Sequence, residues 1–297
     1  MKNRRRPHVA TLPGLATAPR VQPPPPDARG RRPPEAPPGP ARDGGTAASR
    51  RRALERLRAA IVECRRCPRL VAYREAVAAT PPRRFRGQTY WARPLPGFGD
   101  PEARLLLVGL APAAHGGNRT GRIFTGDESG AWLFRALWRA GFANQPTSVH
   151  RDDGLRLRDA FVTAALRCAP PANRPRPDEL AACRPYLVEE VRLLRRVRVV
   201  VGLGRIGWHA YLDARRALGL PVPRPLPAFA HGALTTFEDG VTLIASYHPS
   251  QQNTFTGTLT RPMFQRVFRT ARRLIEQAGA VTRSRRGPTA DAAARPR

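Results

Sequence analysis

A doubly wound α/β domain with a mostly parallel sheet is the fold that the sequence predicts, on three observations. Apolar runs of strand length recur at residues 104–108 (RLLLV), 160–166, 197–201 and 241–247 (VTLIASY). Helical patterns separate them, and that alternation is what crossover connections between parallel strands require. Long polar or glycine-bearing loops follow the runs ending at Val108, Leu166 and Tyr247, the sheet edge where such folds gather ligands.

Taken in order, residues 1–49 are Arg, Pro, Ala and Gly with almost no large apolar side chain. A segment of that kind buries too little to offset its ordering entropy, so it is expected to be a disordered tail, with an extended path at PPPP. Residues 50–63 place Leu54, Leu57, Ile61 and Val62 at helical spacing and deliver Cys64-x-x-Cys67. A second helix is expected over residues 69–79. Residues 80–102, rich in Pro, Gly and Arg, read as irregular surface. After the loop at 109–127, a helix over 128–140 should turn Trp132, Leu133, Leu137 and Trp138 inward. The second strand runs into Cys168 and a proline-punctuated loop, APPANRPRP. Asp178 is a good N-cap for a helix to about residue 195 that carries Cys183. The third strand ends in GLG and a helix to about residue 218. Residues 219–240 read as a Pro-rich connection. The fourth strand empties into His248-Pro249-Ser250 and the polar loop QQNTFTGTLT. A last helix over 261–278 places Met263, Phe264, Val267, Phe268 and Leu274 inward. Residues 281–297 form a second basic tail, leaving a single domain at 50–280.

The formal charge is +30 over 297 residues. Nearly all of the basic charge is arginine, because lysine occurs once, at Lys2. Residues 1–50 carry ten basic and three acidic groups and residues 283–297 five and one, which leaves about +19 between them. That excess favours a polyanionic partner, with nucleic acid first among them. No apolar stretch approaches the ~20 residues that a spanning helix needs. No apolar segment of signal-peptide type follows the basic N-terminus. The expectation is a soluble bacterial protein of the cytoplasm, nucleoid-associated, monomeric and without membrane contact.

The loop at residues 109–127 reads GLAPAAHGGNRTGRIFTGD. Nineteen residues exceed the roughly 2–6 of an ordinary βα connection, and long ordered loops tend to be functional. Its glycines let a ligand approach main-chain N–H groups closely. It lacks the lysine of a phosphate-binding P-loop and the G-x-G-x-x-G of a dinucleotide site.

Four cysteines occur: Cys64, Cys67, Cys168 and Cys183. Disulfides are not expected without a secretory signal, and a redox C-x-x-C would leave Cys168 and Cys183 unexplained. A metal centre held by all four is the better reading. Zinc and an iron–sulfur cluster both stay open, since the second tight C-x-x-C of a zinc ribbon is absent.

Three segments, GLAPAAHGGNRTGRIFTGD, RCAPPANRPRP and SYHPSQQNT, together resemble the signature regions of the family 5 uracil-DNA glycosylases. The four cysteines are placed as in the 4Fe-4S branches of that superfamily. The resemblance spans roughly residues 50–280. It implies a three-layer α/β/α fold around a four-stranded, mostly parallel sheet, a 4Fe-4S cluster on the four cysteines, and removal of uracil and other deaminated bases from DNA. It implies that Asp127 positions or activates water, that His248 stabilises the departing base, and that Asn173 assists. Phe124 resembles the aromatic on which a flipped base stacks, with Gly109, Ala111 and Asn118 beside it. Leu110, Ala111 and Pro112 stand where other branches place a water-activating side chain, which leaves Asp127 as the carboxylate for that role. Arg119, Arg122 and Arg174 are expected at phosphates, and Ser250, Gln252 and Asn253 along the DNA strand, in a loop able to wedge into the space a base vacates.

The chemistry agrees. Breaking an N-glycosidic bond builds positive charge on the sugar and negative charge on the base, which a carboxylate and an imidazole stabilise respectively. Asp127 also reads as the N-cap of the following helix. Two other functions fit less of the chain: a non-catalytic Cys₄ zinc module binding nucleic acid, and a small-molecule hydrolase using His248 and Ser250. The latter lacks a G-x-S-x-G elbow. A lyase activity would need an amine nucleophile, and Lys2 in the tail is a poor one, so a monofunctional glycosylase is expected.

Overall fold

Leu105–Gly109 (β2) is buried at every position, as expected of a strand covered on both faces of a parallel sheet. The computed structural model describes residues 45–284; the expected N-terminal tail before residue 45 and the C-terminal tail beyond 284 lie outside the described residues. Ala160–Ala164 (β3), Val199–Leu203 (β4) and Thr242–Ser246 (β6) are equally buried. These four strands pair in parallel in the order β3-β2-β4-β6, which is the expected sheet.

Two short antiparallel strands extend it at its edges. Phe98–Gly99 (β1) pairs with β3, and Leu234–Thr236 (β5) pairs with β6, giving six strands. Residues 80–102 are therefore not simply irregular surface. Leu95 and Tyr90 are buried, and a 3₁₀ turn occupies Arg83–Phe85.

Side-chain alternation divides the core in two. Leu105, Leu107, Val162, Val201 and Ile244 face Glu128–Arg139 (α4) and Arg261–Ser284 (α8). Leu106, Val108, Phe161, Val200 and Leu243 face Ala47–Val62 (α1), Pro177–Leu193 (α5) and Gly204–Ala217 (α6). The result is three layers. A side chain at Gly207 would collide with the Val108 carbonyl, so glycine there lets α6 lie against the end of β2.

Several boundaries moved. Helix α1 begins at Ala47, capped by Thr46, whose hydroxyl accepts from Ser49 N at 3.2 Å. Helix α5 opens at Pro177, with Glu179 accepting from Arg176 N at 2.8 Å, so Asp178 sits in the first turn rather than at the cap. Trp138 is exposed, and Trp132 only partly buried, because α4 turns Leu133, Phe134 and Leu137 inward instead. The loop after His248 winds into a short helix, Gln251–Phe255 (α7), and α8 runs on to Ser284.

Candidate active site

Three of the parallel strands deliver the three signature segments to one edge of the sheet. The segment after β2 is closed from within. It contains one short helix, Gly117–Thr120 (α3). Arg119 donates from Nε to the His115 carbonyl at 2.8 Å, from Nη2 to Gly126 O at 2.9 Å and from Nη1 to Gln88 Oε1 at 2.8 Å. Its guanidinium lies 4.2 Å above the Phe85 ring. The Thr120 hydroxyl reaches the carbonyls of Gly116 and Thr125. Arg122 is buried and paired with Asp153 through both carboxylate oxygens at 2.7 and 2.9 Å, and it also reaches Thr125, Ser148 and Arg151. Burial would push Asp153 up, but Arg122 and three main-chain amides hold it down to about 2. Arg122 is thus engaged in a buried ion pair. Arg119 has all three nitrogens engaged within the protein. In a chain this rich in arginine, the sequence does not mark which guanidinium is buried.

Phe124 adopts φ 53°, in the left-handed region that bulky residues avoid. Its ring stacks on the His248 imidazole with centroids 5.7 Å apart and planes at 30°. This contact joins the first signature segment to the third. A Cβ on Gly109 would strike the Phe124 ring, so Gly109 makes room for that ring.

Asp127 caps α4, with Oδ1 accepting from Gly130 N at 2.8 Å. Its Oδ2 lies against the Cα of Gly116, where no side chain would fit. One oxygen is therefore committed to the helix and the other faces the loop. Burial raises the Asp127 pKa, while the Gly130 and Ser129 amides and Arg119 pull the other way.

His248 is held from several sides. Asn253 Nδ2 donates to its carbonyl at 2.9 Å, and a side chain on Gly204, at φ 80°, would crowd its Cβ. Burial pushes the imidazole down to about 4, so it is neutral at pH 7. Ser250 caps α7 by accepting from Asn253 N at 3.4 Å. Ser250 and Asn253, expected along the DNA strand, thus shape the histidine loop, while Gln252 is exposed.

Asn173 comes from the second signature segment, after β3. It ends a 3₁₀ turn, Pro171–Asn173, in which Ala172 and Asn173 both take positive φ (52° and 55°). Its side chain is exposed and hydrogen-bonds to nothing among the described residues. Consecutive left-handed residues without glycine store strain of the kind that clusters at functional sites. Asn118 departs further from expectation. It is buried, and its amide donates to the Arg74 carbonyl in Pro68–Ala79 (α2) at 3.2 Å. Ala111 packs against the core beneath α6.

Residues that sequence reasoning passed over also shape the site. Tyr90 Oη lies 2.9 Å from His115 Nδ1, and Phe85 packs on the same imidazole. His231 Nδ1 accepts from Tyr247 N at 3.1 Å, fixing the entry to the His248 loop. No spacing rule links these pairs, which meet only through the fold.

The four cysteines come together. All are free, and all line one small pocket between α1, α2, the loop after β3, and α5. Arg74 and Arg167 line it too, each with a buried Nε that has no partner. Burial pushes Cys168 up to about 11 and Cys183 to about 12. Among the described residues, no three His, Cys, Asp or Glu side chains are grouped to hold a single metal ion.

Comparison with known proteins places this geometry. Residues 96–272 match the family model described as the uracil DNA glycosylase superfamily. The chain is 54% identical over 214 residues to a type-5 uracil-DNA glycosylase of Thermus thermophilus, covering 72% of this chain and 94% of the relative. It is 51% identical over 219 residues to one of Mycobacterium bovis, covering 73% and 80%. It is 48% identical over 211 residues to one of Pyrobaculum aerophilum, covering 71% and 88%.

Proposed function

The chain belongs to the uracil DNA glycosylase superfamily, and from that premise we infer that it excises uracil from DNA in repair, by hydrolysing the bond between base and deoxyribose. The observation that carries the assignment of residues is the Phe124–His248 stack with Asp127 three residues away. It sets an aromatic face, a neutral imidazole and a carboxylate at one strand-end cluster.

In this reading the flipped base enters against Phe124 and His248. As the C1′–N bond breaks, His248 donates a hydrogen bond to the base and stabilises the charge arriving there. Asp127, through Oδ2, orients water toward C1′ and stabilises the positive sugar. Water adds at C1′ as Asp127 takes its proton, and the base leaves with the bonding pair as an anion held by the His248 hydrogen bond. A neutral imidazole suffices for this task, because one of its ring nitrogens still carries an N–H to donate. Asn173, exposed at the rim, is assigned to the incoming nucleotide. Activity extends to other deaminated bases. With Lys2 the only lysine, no core amine forms a Schiff base, and the product is an intact abasic site.

DNA phosphates meet the exposed Arg83, Arg84 and Arg86 beside the loop, and Arg174 after β3, in place of the engaged Arg119 and Arg122. Phe255, 79% exposed on α7, is the wedge that fills the stack behind the extruded base. Replacing it with Ala is expected to raise KM on duplex DNA about tenfold, the value of one lost base–aromatic stack. KM on single strands should change much less, and an equal change on both would show that Phe255 does not wedge.

The four cysteines are assigned to a 4Fe-4S cluster. The donor set, the shared pocket and the two unpartnered Nε atoms support a polynuclear, anionic group over one zinc ion. When bound, such a group supplies cross-links among four segments and no open coordination position for chemistry. The test uses purified protein and oligonucleotides bearing uracil, hypoxanthine or xanthine. Uracil release, an intact abasic strand, no borohydride-trapped adduct, and visible absorbance with bound iron are expected. A colourless, zinc-loaded protein that binds DNA without releasing any base would reverse the assignment.

A further inference from the structure

We propose that Arg74 is the counter-cation of the cysteine centre and that its main-chain carbonyl seats the base-binding loop upon that centre. The inference rests on the assignment of an anionic cluster to the four cysteines.

Arg74 is 2% exposed, yet it has no carboxylate partner among the described residues. Its Nη1 donates to Cys168 Sγ at 3.0 Å and to Cys64 O at 3.4 Å, and its Nε is buried without a partner. The cavity has two other arginines. Arg167 is neutralised by Glu190 at 2.6 Å, and Arg66 is only half-buried. Arg74 alone is a buried charge lacking an anion, a costly state unless a counter-charge is present. Thiolates bridged to a cluster supply that charge where neutral thiols would not.

The same residue touches the active-site loop through its backbone. Asn118 in α3 donates to the Arg74 carbonyl at 3.2 Å, and Asn118 is itself buried. The main-chain N–H groups of Trp91 and Ala92 donate to the carbonyls of Arg119 and Asn118 from the other side. Helix α3 is thereby clamped between α2 and the 91–92 segment. Arg74 is a positioning residue whose side chain serves the centre and whose carbonyl serves the loop.

These two roles separate by mutation, because Arg74→Met keeps the carbonyl. Its iron content should match wild type, its cluster midpoint potential should move to more negative values, and its colour should bleach faster in air. Removing a nearby positive charge disfavours the electron-richer state, which fixes the direction. Arg74→Lys retains the charge and should restore the wild-type potential. Asn118→Ala should leave the potential unchanged and lower uracil excision by up to about 100-fold, the effect of a small misplacement of reacting groups. A coloured Arg74→Met protein with wild-type potential and bleaching rate overturns the counter-cation role. So does a lysine variant as displaced, or as insoluble, as the methionine variant. Wild-type excision by Asn118→Ala overturns the seating of the loop. A wild-type protein without iron refutes the cluster assignment itself, independently of these variants.

Discussion

Asp127→Asn is expected to lower uracil excision by about 10²–10⁴-fold while the protein stays folded. Asn caps a helix about as well as Asp, so the bond to Gly130 N and the start of α4 survive. What is lost is the negative charge on the oxygen that faces Gly116 and orients the water. Asp127→Ala should lose the same activity and in addition about 0.5–2 kcal/mol of stability, because the cap goes with the charge. The pH profile provides a second check. Burial raises the Asp127 pKa, so the ionised form is lost at higher pH than for an ordinary aspartate. Activity should therefore fall on an acid limb above the usual carboxylate range. His248, at about 4, adds no limb near pH 6.5. The acid limb should vanish from the residual activity of Asp127→Asn. An undiminished rate in that variant would remove Asp127 from the mechanism.

Glu190→Gln carries the largest expected effect on stability. Arg167 and Glu190 are 1% and 0% exposed and joined at 2.6 Å. The carboxylate also accepts from Thr163 Oγ1 at 2.5 Å and from Gly97 N at 3.2 Å, and Arg167 reaches Thr163 at 2.6 Å. Neutralising Glu190 leaves a guanidinium in the core with no anion. Removing one partner of a buried pair costs about 3–5 kcal/mol, a large share of the ~5–15 kcal/mol that holds a domain together. The unfolding free energy should drop by that amount, read as a lower urea midpoint at unchanged slope. Replacing both partners with Met and Leu should recover most of the loss. A change below about 1 kcal/mol for Glu190→Gln would mean that water reaches the pair. Arg167 is also the residue before Cys168, so the same substitution should loosen the cysteine centre.

The four parallel strands were legible because a strand covered on both faces is largely apolar, as LLLVG and VVVGL are. Strands β1 and β5 were not, since two or three partly exposed residues carry no period. Asp127, His248 and the four cysteines could be found from spacing and from the loops that carry them. Their partners could not. Asp153 lies 31 residues from Arg122, and nothing local couples them. Asn118 and Asn253 look like ligand-binding amides in the sequence, yet the structure turns each toward a backbone carbonyl. Polar side chains in a rich loop serve the loop as often as the ligand, and only the three-dimensional contacts divide them.

The loop between β2 and α4 is stitched by Arg119, Thr120 and Arg122 without help from any substrate. A loop so tied in advance passes the work of deformation to whatever binds it. The nucleic acid must supply the bending and unstacking. Discrimination then begins before any contact with the lesion, in how readily each base swings free of its neighbours.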